Sequence, residues 1–149
     1  GDPVVVTVTP RGPGGYHARL SRTLAADGAV GAARRAHVAC EAARRVAIDA
    51  LEPGEPVDGV REEVVAELGA FGVEPVADAP VVHGVGLARR EAPRPGEGAT
   101  LEPGHVVAVA PAARVPDGPG TVRLADLVLV EADGPTLLTD VATGLAARS

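Results

Sequence analysis

From Ala32 to Leu51 the apolar residues Ala39, Ala42, Ala43, Val46, Ala47 and Ala50 return at helical spacing, while Arg34, His37, Glu41, Arg44 and Arg45 fall on the opposite arc. Arg35 and Ile48 break the pattern, and Pro53-Gly54 stops it, so the run predicts one amphipathic helix of about 20 residues. Its charged arc reads as a solvated face. A second, shorter helix is predicted over Val57–Gly69, with Val60, Val64, Val65 and Leu68 in register, Asp58 as N-cap and Gly69 near the end. On either side the pattern changes to strands. Pro3–Thr9 is rich in β-branched residues and runs into Pro10–Gly15, which predicts a strand, a turn and a return strand over Tyr16–Leu24. Beyond Phe71, short strands are expected at His83–Leu87, His105–Ala110, Thr121–Glu131 and Thr136–Thr139, with Ala92–Gly104 as a long surface loop. No internal repeat interrupts this order, which predicts an α+β domain.

Composition narrows the function classes. At 149 residues the chain has room for a single domain, and 46% hydrophobic against 23% charged residues excludes disorder through low hydrophobicity. With one Phe, one Tyr, no Trp and no Met, the core must come from Val, Leu and Ala. The formal charge is -6, and every basic residue is an arginine, scattered along the chain, which argues against nucleic acid as a partner. No apolar run approaches the roughly 18 to 20 residues of a membrane span. Cys40 stands alone, which excludes an intramolecular disulfide framework and a Cys-rich zinc site and fits a reducing, cytoplasmic setting. A start at Gly1-Asp2-Pro3 without Met is read as a processed product, a fragment or a trimmed form.

One string carries more than local structure. Val82-His83-Gly84-Val85-Gly86-Leu87, followed by Glu91-Ala92-Pro93, resembles the His-Gly-x-Gly-Leu…His-Glu-x-Pro stretch of the pita-bread metallopeptidases. These comprise methionine aminopeptidase, Xaa-Pro aminopeptidase and prolidase, with the metal-free relative creatinase. The family's order is reproduced along nearly the whole chain. Gly1-Asp2 with its apolar strand is similar to the Gly-Asp-x-Val strand, and Gly15-Tyr16 with Ser21-Arg22-Thr23 to the Gly-Tyr…Thr-Arg-Thr strand. Leu51–Gly54 is similar to the helix-ending Pro-Gly, and Leu101–Val107 and Val122–Val130 to the last two strands. The resemblance implies the C-terminal portion of a pita-bread fold, nearest the Xaa-Pro branch, forming a single domain incomplete at its N-terminal side.

Catalysis in that family rests on two metal ions held by two Asp, one His and two Glu, a donor set suited to divalent Mn, Co or Zn. Position by position, the resemblance puts Thr7 and Arg19 where the two Asp belong and Ala110 and Ala125 where the two Glu belong. His83 alone keeps a ligand type. Arg90, seven residues on, replaces the family's second, substrate-contacting His. Asp126 adjoins Ala125, but strand neighbours point to opposite faces, so it is expected to miss the site. A single imidazole beside a guanidinium does not hold a dinuclear centre, so no metal cofactor is expected.

The exchange of carboxylates for arginines predicts a positively charged pocket. Arg19, Arg90 and Arg123 are the candidate anion-binding groups, with Thr7 and Tyr16 beside them, for a small carboxylate, phosphate or peptide. His83, oriented by Glu91, is the candidate catalytic pair. His17, His37 and His105 read as incidental. Three functions follow: a binding or interaction module that has lost peptidase chemistry; a metal-independent enzyme by analogy with creatinase; and an aminopeptidase completed by a second chain or a homo-oligomer that supplies the missing first part of the fold. The first is favoured, because four ligands are replaced together.

Overall fold

The computed structural model describes residues 2–25 and 31–145, so Gly1 of the first motif lies outside the described residues. Strands β1 (Val4–Val8) and β2 (Leu20–Leu24) pair antiparallel from Val4 opposite Leu24 to Val8 opposite Leu20. Helix α1 spans Gly31–Asp49 and α2 spans Val57–Ala70. Then come β3 (Val82–Gly84), β4 (Val106–Val109), β5 (Ala112–Arg114), β6 (Thr121–Arg123), β7 (Asp126–Glu131) and β8 (Gly134–Leu137). The strands form an antiparallel sheet in the order β3-β4-β7-β8 and two separate pairs, β1-β2 and β5-β6. The arrangement is the α+β one expected.

One face of the sheets carries the helices. Ala36, Ala39, Cys40, Ala43 and Ala47 of α1 and Val57, Val60, Val64 and Leu68 of α2 pack with Val82, Val107, Val109, Ala113, Val122, Val128 and Val130. Small side chains on α1 let the helix lie close to the strands, so a core without aromatic bulk still closes; each fully buried Val or Leu contributes about 1.5–3 kcal/mol. The opposite face carries a smaller cluster of Val85, Ala108 and Leu127. His83 pairs with Ala108 and Ala108 with Leu127, so the imidazole belongs to this second face.

Several local expectations are corrected. The predicted strand over Thr121–Glu131 is two strands. At Leu124-Ala125 the chain changes partner: Leu124 N donates to Pro111 O, and Ala125 exchanges both backbone bonds with Ser21 at 3.0 and 3.1 Å. That exchange joins the β1-β2 hairpin to the main sheet. β5 has no predicted counterpart, because Ala-Ala-Arg after Pro111 carries no strand alternation. The return strand starts at Leu20 rather than Tyr16. Asp58 is not the N-cap of α2. Pro56 holds that position without a side-chain bond, and Asp58 instead accepts from Gly96 N at 2.7 Å, tying the 92–104 loop to the helix.

The charged arc of α1 is only partly solvated. Asp126 is fully buried and takes Arg22 in a two-pronged contact at 2.7 and 3.1 Å, Arg44 of α1 at 2.6 Å, and the Thr139 hydroxyl. Arg22 also donates to the carbonyls of Val141 and Ala142, so this cluster straps the segment after β8 against α1. His37, read as incidental on a polar arc, is buried under that strap with Nε2 donating to Thr143 O at 2.8 Å.

Candidate functional site

Strand alternation assembles the site face. On β2 and the approach to it, Arg19, Ser21 and Thr23 share one side, and the register places Thr7 opposite Ser21. The Ser21–Ala125 bridge extends that side to Ala125 and Arg123, while Arg22 and Asp126, one residue away in each case, meet on the helix side. The expectation that Asp126 misses the site therefore holds. His83, Ala108 and Ala110 complete the face from β3 and β4.

The groups at the five family ligand positions are one hydroxyl, one guanidinium, one imidazole and two methyl groups. Ala110 and Ala125 are fully buried, and Thr7 Oγ1 shares a hydrogen bond of 2.8 Å with Ser21 Oγ. Among the described residues, no three His, Cys, Asp or Glu side chains converge so as to hold a metal ion. That donor set does not fit a dinuclear centre.

His83 is 1% exposed. Its Nδ1 lies 2.9 Å from Gly84 O; a carbonyl only accepts, so Nδ1 carries the proton in that bond. Nε2 is buried without a partner. Burial first, then the Arg19, Arg90 and Arg94 charges, hold the imidazole below its ordinary pKa against the opposing pull of the Gly84 bond. The neutral ring is thus favoured, with a bare lone pair on Nε2. Arg19 is half-buried, its Nε also has no hydrogen-bond partner, and it forms no ion pair among the described residues. Burial, then Arg123 and Arg90, lower its pKa. These mutual influences put Arg19, Arg90, Arg123 and His83 in one positive field.

The 88–93 segment folds back along the edge of β3, with Gly84 N donating to Pro93 O and Glu91 N to Gly84 O. This return explains the two glycines of the motif. A Cβ on Gly84 would collide with the Ala92 carbonyl, and one on Gly86 with the Glu91 carboxylate. Glu91 lies over Gly86 and accepts from Ala88 N at 3.0 Å. It therefore does not orient His83, whose Nδ1 bonds Gly84 O instead.

A cavity of about 360 Å³ opens at the free edge of β3. His83 and Arg90 line it with Arg61 of α2 and Arg94, and Asp78 is the sole acidic residue on its wall. The pocket is thus differently composed from the one predicted: Thr7, Tyr16, Arg19 and Arg123 do not line it. Tyr16 stands 64% exposed at the tip of the hairpin. Arg61 and Arg94 had no sequence signal, since they meet only because Asp58, one helical turn before Arg61, binds Gly96 near Arg94.

Comparison with known proteins follows from this geometry. The model of metallopeptidase family M24 matches residues 1–132. Dipeptidase PepE from Mycobacterium ulcerans is similar over 97% of this chain and 39% of its own, at 26% identity and a TM-score of 0.87. The prolidase from Pyrococcus furiosus is similar over 94% of this chain and 42% of its own, at 24% identity and a TM-score of 0.86. X-Pro aminopeptidase from Thermotoga maritima matches at 17% identity with a TM-score of 0.88, over 98% of this chain and 42% of its own. The chain spans about two fifths of the length of these structures, and its architecture is that of the pita-bread fold over its C-terminal portion. No curated protein sequence matches it.

Proposed function

The chain belongs to metallopeptidase family M24, and from that footing we propose that it binds a small anionic ligand at the former peptidase site instead of hydrolysing peptides. The observation that carries this reading is the charge of the site. Arg61, Arg90 and Arg94 face a cavity with one acidic residue, and Arg19 stands unpaired beside His83. Guanidinium groups recognise carboxylate or phosphate through paired N–H donors, and this concentration of them favours such a ligand, free or at the end of a peptide. The binding module carries its ligand without a metal cofactor.

Metal analysis after dialysis, run beside hydrolysis assays on Xaa-Pro dipeptides with added Mn, Co or Zn, tests the reading. We expect no stoichiometric metal and no turnover, and a rise in melting temperature with inorganic phosphate or small carboxylates. A ligand at a hundred times its Kd stabilises the native state by about 2.7 kcal/mol. Stoichiometric metal with metal-dependent turnover would overturn the proposal.

A second reading has one observation in its favour. The unpartnered Nε2 of neutral His83 is a competent general base, as a metal-independent, creatinase-like enzyme would need. Glu91 would not serve as its orienting partner from its present position. A second chain, or another copy of this one, is also compatible with the shape of the hairpin. β1 pairs on one side only, and Val4, Val6 and Val8 are all exposed along it. The buried, lone Cys40 fits a cytoplasmic setting.

A further inference from the structure

Two buried polar atoms on the site face lack partners, and they are of opposite kinds. Arg19 Nε carries a proton and can only donate. His83 Nε2 is left as an acceptor, because Nδ1 spends the ring's proton on the Gly84 carbonyl. Buried donors and acceptors without partners are rare, and each costs the desolvation of the group. An anion alone relieves only one of them. A carboxylate or sulfate oxygen accepts from Arg19, but it repels the lone pair of His83. A hydroxyl satisfies both, accepting from Arg19 Nε–H while donating its own proton to His83 Nε2.

Resting on the anion-binding reading above, we propose that the site selects small oxyanions that carry their own O–H donor, the α-hydroxy acids and hydrogen phosphate being the simplest members. The hydroxyl bridges Arg19 Nε and His83 Nε2, and the charged end faces the guanidinium groups of Arg19 and Arg90. The lowered basicity of His83 agrees with this assignment, since burial and the surrounding arginines keep its ring neutral and its Nε2 free to accept. Arg90 supports the placement of the charge, because it bears on both Arg19 and His83.

The test is calorimetric titration of the full chain near neutral pH with matched pairs: glycolate against acetate, and inorganic phosphate against sulfate. We expect the donor-bearing member of each pair to bind about tenfold more tightly, the value of one buried hydrogen bond. His83→Phe should remove the preference and leave the weaker anion binding in place. Because that variant replaces a buried ring, the wild-type chain provides an independent readout. The 15N resonance of His83 Nε2 should shift on glycolate binding toward that of a hydrogen-bonded acceptor and stay put with acetate. Equal affinities within both pairs, or an unmoved Nε2 resonance with glycolate bound, overturn this inference while leaving anion binding intact. Failure of all four anions to bind overturns the anion-binding reading itself.

Discussion

Replacing Asp126 by Asn keeps the side-chain volume and removes the one charge that Arg22 and Arg44 share. In the native chain the carboxylate is fully buried, whereas the two arginine side chains keep 10% and 16% of their surface. Breaking a buried ion pair by removing one partner costs about 3–5 kcal/mol, because the other is left uncompensated. The slight exposure of both guanidinium groups places Asp126→Asn at the lower end, about 3 kcal/mol. That is a large share of the roughly 5–15 kcal/mol that holds a domain together. For a chain of this length it corresponds to a fall in Tm of roughly 10 °C. Urea denaturation followed by far-ultraviolet circular dichroism measures it directly, and limited proteolysis should show earlier cleavage in the 138–143 strap that Arg22 holds. A loss below about 1 kcal/mol would refute the reasoning, since it would mean that the cluster is hydrated in solution. An intact stability combined with altered anion affinity would be more damaging. It would place Asp126 on the site face, one residue out of the register described.

Other outcomes follow from the same geometry. Gly84→Ala should destabilise the chain by about 1–3 kcal/mol and weaken anion binding, because the added methyl displaces the 91–93 return that carries Arg90; denaturation and titration together read both effects. The pKa of His83 lies below its ordinary 6.5 in the folded chain, so the unfolded chain takes up that proton first as the pH falls. Stability should therefore decline as the pH drops below about 6.5, and His83→Gln should flatten that part of the profile. Burial pushes the Cys40 thiol up to about 12, so alkylation at neutral pH should track unfolding rather than precede it, as a labelling time course in increasing urea would show.

The helices and the hairpin were legible in the sequence because their signals are local. The alternation of α1 and the turn at Pro10–Gly15 each lie within one segment. The five ligand positions were legible for another reason: a motif fixes them by spacing, and strand alternation then puts Arg22 and Asp126 on the far side from Arg19 and Ala125. What could not be read was tertiary. Nothing local tells that Arg44 leaves the solvated arc for Asp126, or that His37 is roofed by the strap. The partner change at Leu124-Ala125 depends on Pro111 and Ser21, far away in the chain. The predicted pocket failed in the same way: its arginines were chosen by strand face, whereas the cavity at the β3 edge is closed by a loop that Asp58 draws in.

The exposed position of Tyr16 has an optical consequence. It is the only tyrosine in a chain without tryptophan, so nearly all near-ultraviolet absorption and intrinsic fluorescence arise at the hairpin tip. The ring rests against Gly14 rather than against the core. Its emission will register what happens to the loop between β1 and β2 and stay almost silent while α1, α2 and the main sheet come apart. Signals from that ring and from backbone dichroism should therefore be treated as two separate gauges, one of the tip and one of the whole.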